Sequence, residues 1–301
     1  VAAFAGATGV VTRLAIGNHA SGTAPADACC TDFGTDGVVD NRLGVAIRAL
    51  DSLDGSDTNA LIAERIASAS TLTAILFDAR PDRGADALDV GFVPATLVSA
   101  DLSAIPAGTA ELLLQRIGFV DGTAEPRSYL AATLGGTSLR TATTSRPNEV
   151  VIEVPLLGLD VAWPLVDARL EGTLTAGPSG ASGRLSGDPL GARLSGLAPL
   201  DQALGAISDA YAARCPCAVF PLDSGDRLFN AAGTCVRPDT LACTGADSDA
   251  CIRPPGLCGA LRSLLGPDVD TDADGTNDAI SSGFWLETTT ATVVGVEACG
   301  G

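Results

Sequence analysis

No lysine occurs among the 301 residues, and the chain holds one histidine, two tryptophans and two tyrosines. Without lysine there is no P-loop amine, no Schiff base and no kinase-type lysine. The single histidine, His19, would have to serve any Ser-His-Asp hydrolase, and no G-x-S-x-G elbow is present to hold its nucleophile. Its surroundings, Ile16-Gly17-Asn18-His19-Ala20, read instead as a turn with an exposed imidazole. So few aromatics leave thin platforms for stacking sugars, and Trp163 and Trp285 read as core anchors. Neither G-x-G-x-x-G nor C-x-x-C occurs, so a nucleotide or redox cofactor has no motif to rest on. No apolar run reaches the roughly 18 residues of a membrane helix.

Positive charge is scarce as well. Lys and Arg together number 18 against 36 acids, a formal net charge of −18. No basic cluster stands out that could release counterions from a phosphate backbone, which excludes a nucleic-acid partner. Most of the carboxylates are expected on a solvated surface, although 36 acids could also supply a glycosidase pair that spacing alone does not reveal.

What the chain does contain is a concentrated acidic motif, Asp270-Thr271-Asp272-Ala273-Asp274-Gly275-Thr276-Asn277-Asp278. Three alternating carboxylates, a turn glycine and a fourth carboxylate are costly together unless a cation sits among them, so the motif reads as a Ca2+ loop. Asp270, Asp272 and Asp274 would supply side-chain oxygens, Thr276 its carbonyl, and Asp278 a ligand directly or through water. The match to an EF-hand is partial: the position of the bidentate glutamate, three residues after Asp278, is Ser281. A weaker copy runs from Asp32 through Asp36 to Asp40, with Gly34 in the third position; it is either a degenerate calcium loop or an ordinary Asp/Gly turn.

Nine cysteines are the second clue. Cys215, Cys217, Cys235, Cys243, Cys251 and Cys258 crowd a Pro-, Gly- and Asp-containing segment with no histidine, which points to a disulfide-stapled lobe in an oxidising compartment rather than to zinc. Six cysteines allow 15 pairings and the sequence selects none. Cys29 and Cys30 are adjacent and should each reach elsewhere. The odd total leaves one thiol over, and Cys299 could pair internally, stay free or join another chain.

Periodicity divides the chain into an N-terminal arm and first Asp/Gly loop (1–41), a β-rich core with flanking helices (42–213), and a cysteine lobe, calcium loop and final strand (214–301). The apolar stretch from Val1 to Val11 reads as a processed N-terminus or an arm that packs on something. Two helices, Asn41 to Leu53 and one capped by Asp57, are expected to precede the sheet. From Thr71 the period becomes two, giving strands Thr71 to Phe77, Leu88 to Val98, Ala110 to Phe119, Leu130 to Thr141, Val150 to Leu156, Val161 to Thr175 and Gly183 to Leu197. Val166, Ala168, Leu170 and Leu174 should share one face. The run Gly177 to Gly183 reads as a hairpin loop. A helix from Pro199 to Ala213, a short one from Gly259 to Leu265, and a long strand from Ile280 to Val296 that rejoins the sheet complete the pattern. The fold class expected is β-rich α+β, a largely antiparallel sandwich or curved sheet with a few packed helices.

The stretch Cys30 to Asn41, taken with Asp270 to Asp278 and the final β-prone segment, resembles a group of uncharacterised secreted proteins or lipoproteins of high-GC bacteria that combine calcium loops, a β-rich middle and a cysteine cluster. The resemblance implies an envelope or extracellular location and brings no activity. Val1 stands where a lipoprotein carries its lipidated cysteine. The expectation is a non-enzymatic, calcium-binding structural protein of the cell surface that self-associates or meets other surface proteins, with Val1 to Val11 as the contacting arm. A module binding an apolar ligand such as a lipid, between the sheet and the Pro199 helix, is the alternative. A hydrolase using carboxylates or calcium is the third.

Overall fold

The computed structural model describes residues 7–17, 31–33, 40–174, 190–221, 225, 227–230, 232–241 and 248–297. In chain order these form β1 (Ala7–Ile16), α1 (Arg42–Asp54), α2 (Thr58–Ala67), β2 (Leu72–Ala79), β3 (Ala87–Leu97), β4 (Ala110–Leu114), β5 (Ser128–Gly135), β6 (Ser138–Thr141), β7 (Val150–Leu156), β8 (Leu159–Leu174), β9 (Leu190–Pro199), α3 (Leu200–Arg214), β10 (Ala218–Val219), β11 (Thr240–Leu241), α4 (Ser248–Leu264) and β12 (Ala279–Val296).

Strands β1, β2, β3, β5, β6, β8, β9 and β12 pair successively and antiparallel, and β12 pairs back with β1. The sheet is therefore a closed eight-stranded barrel, a more specific architecture than the antiparallel sandwich or curved sheet expected. Closure removes the unpaired edges that an open sheet would leave. Strand β4 lies antiparallel to β3 and parallel to β12. Because β12, β1, β2 and β3 already pair in series, β4 closes a second, five-stranded circuit that shares this wall.

Sharing a wall buries both faces of the shared strands over part of their length, so consecutive residues are buried there, as at Val10–Val11, Ala74–Phe77 and Phe92–Val93. Neighbouring residues serve different cores: Ile75 and Phe77 face the larger one, with Phe92, Leu170 and Phe284, while Ala74 and Leu76 face the smaller one, with Val93 and Leu112. Val10 and Val11 divide in the same way. The apolar segment expected to be an arm therefore begins a barrel strand from Ala7 onward, paired on both sides. Residues 1–6 lie outside the described residues. A strand, rather than two helices, opens the fold.

Within β8 the inward set changes parity. Leu159, Val161, Trp163 and Leu165 are buried before Asp167, and Ala168, Leu170 and Leu174 after it. A register irregularity between Val166 and Arg169, with Asp167 at φ 47°, inserts the extra residue of a β-bulge. Val166 is thereby turned away from Ala168, contrary to the single face expected, and packs instead with Leu197, Val269 and Phe33.

The β7–β8 hairpin turns through Leu157 and Gly158, at φ 54° and 80°, between the closing pair Leu156 and Leu159. Positive φ at both central residues is the primed turn whose twist suits a hairpin. Counting back by twos from the closing pair, Pro155 and Pro164 both fall on pairs that exchange no ladder hydrogen bonds. Their missing N–H groups therefore face the outer edges of the hairpin. Leu130 to Thr141 is also a hairpin, not one strand: Gly135 pairs with Ser138 and Gly136 takes φ 65°.

Helices α1, α2 and α3 pack on β12, β1 and β8 respectively. Asp57 caps α2 by accepting the Ala60 N–H, as expected. Buried Asn41 caps α1 by accepting from Gly44 N (3.1 Å), accepts also from Gly283 N (3.2 Å) and donates to Gly17 O (2.8 Å), tying β1, α1 and β12 together. The cysteine lobe is joined to the barrel through α3. Cys215–Cys251 links the end of α3 to α4, Cys235–Cys258 fastens the preceding loop to α4, and Cys217 is also disulfide-bonded. The helix expected at Gly259 to Leu265 begins earlier, at Ser248, and runs through Pro254 and Pro255. Cys29, Cys30, Cys243, Cys299, His19 and the Gly177 to Gly183 loop lie outside the described residues.

Candidate metal centre

The acidic loop enters β12. Its base is closed by a bridge between Val269 and Ala279 and by the Asp278 N–H donating to Val269 O at 2.9 Å. Inside this ring the backbone turns sharply, with Ala273 at φ 61° and Gly275 at φ 90°. A glycine at the second of these positions carries no Cβ penalty. The carboxylates collect the inward amides: Asp270 Oδ2 accepts from Gly275 N (2.7 Å), Asp272 Oδ1 from Asp274 N (3.2 Å) and Asp274 Oδ1 from Thr276 N (2.7 Å).

One ligand oxygen from each of Asp270, Asp272 and Asp274 lies within 4.8 Å of the others. Calcium holds oxygens at about 2.3–2.6 Å, so two ligands on opposite sides of one ion stand about 5 Å apart at most. The trio fits that limit. Asp270 Oδ1 adds a second fact: it is shielded from solvent and has no hydrogen-bond partner in the protein. A carboxylate oxygen without a hydrogen-bond partner is unfavourable, and a cation would offset that cost. The Asp270 carboxyl is held below the usual carboxylate range, chiefly by the Gly275 N–H, with burial opposing and the Ala273 and Asp274 amides assisting. It therefore stays charged where an ordinary aspartate begins to protonate.

Asp278 stands apart from the trio. Both of its oxygens are taken by Thr271, from N at 2.9 Å and from Oγ1 at 2.6 Å, so it braces the loop. Thr276 enters the observed bonding through its N–H. Ser281, at the EF-hand glutamate position, is fully buried and donates from N (2.8 Å) and Oγ (2.5 Å) to Asp268, while accepting from Arg42 N at 2.8 Å. Asp268 is thus a structural partner that the sequence pattern did not single out.

The weaker loop has the same frame at its described ends. Asp40 N donates to Thr31 O (3.0 Å) across a bridge between these residues, and Phe33 N donates to Asp40 Oδ2 at 2.8 Å. These bonds match Asp278 to Val269 and Thr271 to Asp278. Asp32 Oδ1 is shielded from solvent, like its counterpart in Asp270, and Asp36 lies outside the described residues. The two loops meet: Phe33 packs on Val269, Ala279 and Leu197, with the Arg169 guanidinium 4.9 Å above its ring. Neither motif alone carries a signal of that meeting, because it is made by the Val166 bulge and the strand pairing of β9 with β12.

Among the described residues, spaces of two kinds stand out. Between α2, β7 and the barrel lies a cavity of about 40 Å³ bordered by Val11, Ile62, Phe92 and Leu286. That is room for a water molecule or so, well below the several hundred Å³ of a ligand pocket. Beside α3 are open grooves of about 940 and 450 Å³, whose walls carry Asp201, Asp209, Arg227 and Arg262. Trp163 is fully buried, its Nε1–H donating to Ser282 Oγ at 3.1 Å, and Trp285 donates to Glu287 Oε1 at 2.8 Å. Among the described residues, no helix is long and apolar enough to cross a membrane. No family model matches the chain, and neither the curated proteins nor the solved structures contain a significant match to it.

Proposed function

We propose that this chain is a non-enzymatic extracellular protein of the bacterial envelope, stabilised by Ca2+ and disulfides, that serves as a cell-surface structural subunit able to self-associate. The observation that carries the reading is the convergence of Asp270, Asp272 and Asp274 within 4.8 Å, with Asp270 Oδ1 buried and lacking a hydrogen bond. The disulfides fit an oxidising compartment. Millimolar extracellular calcium suits a loop with three convergent carboxylates. The kinship with secreted proteins of high-GC bacteria is part of the same proposal.

Asp270, Asp272 and Asp274 hold the ion, the Thr276 carbonyl and Asp278 complete or brace its shell, and Asp32, Asp36 and Asp40 form the candidate second site. The ion's work is structural, fixing how β12 enters the barrel. The 40 Å³ cavity is too small for an apolar ligand, and the larger groove beside α3 mixes Leu200, Leu204 and Phe229 with Asp201, Arg227 and Arg262. Calorimetric calcium titration tests the metal, with Asp272→Ala expected to lose one site; unchanged stoichiometry in that variant would remove the reading. Sedimentation of the unreduced protein, with calcium and with chelator, tests self-association: ordered assemblies support it, and a monomer under both conditions rejects it.

A further inference from the structure

Helix α3 begins without a side-chain cap of its own. Pro199 occupies the cap position and makes no capping bond. The first helical amide, Leu200 N–H, donates instead to the carbonyl oxygen of Asp278 at 2.9 Å. Asp278 is the last residue of the acidic loop, and its other groups are all committed to that loop: its N–H to Val269 O, its carboxylate to Thr271. The far end of α3 is linked to α4 by Cys215–Cys251. α4 leads back to the loop through Gly266, whose carbonyl accepts from Arg42 Nε at 3.1 Å. Loop, α3, disulfide and α4 thus form one closed circuit. It borders the groove of about 940 Å³, with Leu200 and Leu204 on one side, Arg262 on another, and Asn277 and Asp278 at the loop.

We propose that metal binding in the Asp270 loop is coupled to α3 through the Asp278–Leu200 hydrogen bond, so that calcium fixes the first turn of α3 and the groove beside it. The proposal rests on the metal reading given above. Without a cation the three carboxylates repel one another; with one they are drawn together, and the segment ending at the Asp278 carbonyl is held in place. The first turn of a helix otherwise has unsatisfied N–H groups, so a persistent external acceptor at Leu200 stabilises its start. Coupling between two sites is reciprocal: whatever calcium does for α3, the α3 bond does for calcium affinity.

Residue-resolved amide hydrogen exchange on the full chain, with calcium and with chelator, tests this. The expected result is that Thr271, Gly275 and Leu200 slow together on calcium addition, about tenfold or more at Leu200, and that Asp272→Ala abolishes all three responses. Slowing at Thr271 and Gly275 with no change at Leu200 would overturn the coupling and leave the metal site standing. No response in any loop amide would remove the metal reading and the coupling with it. Leu200→Pro gives the reciprocal arm. Proline is suited to the first helical position, and Pro199 is already extended at ψ 132°; because the substitution deletes the core-packed Leu200 side chain together with the N–H, it is read against Leu200→Ala, which removes the side chain and keeps the N–H. Relative to Leu200→Ala, calcium affinity should fall about two- to tenfold, the equivalent of one ordinary hydrogen bond. Affinity unchanged from Leu200→Ala in a helical, folded Leu200→Pro protein overturns the proposal.

Discussion

Two consecutive prolines inside α4 create a defect whose repair can be measured. Pro255 has no N–H, so the carbonyl of Cys251, four residues earlier, loses its helical donor. Cys251 is fully buried, which keeps water from serving instead. The donor is Tyr211 Oη, 2.9 Å from Cys251 O, on a side chain with no solvent exposure. Tyr211→Phe should keep the packing, including the edge-on contact with Phe220 at 5.9 Å. It would orphan the carbonyl at a cost of about 1–3 kcal/mol. In a domain of this size each kcal/mol lowers Tm by about 2–4 °C. Denaturant unfolding under oxidising conditions provides the number, and a loss under about 0.5 kcal/mol would refute the assignment of the defect.

The double-mutant cycle is sharper. Pro255→Ala restores a backbone N–H to Cys251 O, so Tyr211→Phe should cost at least about 1 kcal/mol less in that background than in the wild type. Additive effects would mean that the hydroxyl and the proline do not answer each other. pH offers an independent check, since burial pushes the Tyr211 phenol up to about 12. Between pH 10 and 12 the unfolded chain has released this proton and the folded one has not. The Tyr211 contribution to stability is therefore constant below about pH 10 and falls above it, by up to about 1.4 kcal/mol per pH unit, and Tyr211→Phe should flatten the slope.

Three further outcomes follow from the fold and the loop. Asn41→Ala removes bonds to Gly44, Gly283 and Gly17 from a buried site. It should cost about 2–4 kcal/mol by chemical denaturation, far more than loss of an exposed helix cap. Calcium at 100 times its dissociation constant should stabilise the native chain by about 2.7 kcal/mol, a gain that Asp272→Ala abolishes and chelator reverses; equal melting curves with and without calcium would contradict a native-state site. Removing Cys215–Cys251 by double substitution opens a loop of 36 residues' separation. The chain-entropy model gives about 4 kcal/mol, measured as the urea midpoint shift of α3 and lobe signals.

Helices α1, α2 and α3 were legible because their signals are local, whereas α4 begins at Ser248, well before the expected Gly259. Asp57 before Thr58 and the stripes of Leu43, Ala46, Ile47 and Leu50 and of Leu204, Ile207 and Tyr211 each specify an element within a few residues. Strand existence was also readable, but not closure. Barrel formation depends on β12 returning to β1 and on β3 meeting β5, pairings between residues far apart whose period-two patterns are the same in a sandwich. β1 was hidden for a related reason: a strand buried on both faces shows no alternation, and Val10 and Val11 read as an apolar arm. The Asp167 bulge was hidden because nothing at Asp167 itself announces a positive φ. In the acidic loop, residue types singled out the three carboxylates that converge, whereas the place of Asp278 depends on Thr271, a neutral residue that a carboxylate pattern passes over.

Closure also limits how copies of this chain can associate. Strand addition needs an unpaired strand edge, and among the described residues each of the eight barrel strands has a neighbour on both sides over at least part of its length. The β7–β8 hairpin is the element that extends beyond it, and its outer edges are guarded. Pro155 and Pro164 remove donors there, and the Val151 N–H is already given to Ser128 Oγ at 3.0 Å. Along the barrel wall and this hairpin, contact between copies would therefore run through side-chain surfaces rather than by continuing the sheet. That separates two experiments that a truncation would confuse. Deleting residues 1–15 removes most of β1 from both circuits and should unfold the barrel, so loss of assembly would carry no information about contact. Deleting residues 1–6 leaves the Ala7 to Ile16 pairings intact, and assembly that survives it would place the contact elsewhere on the subunit.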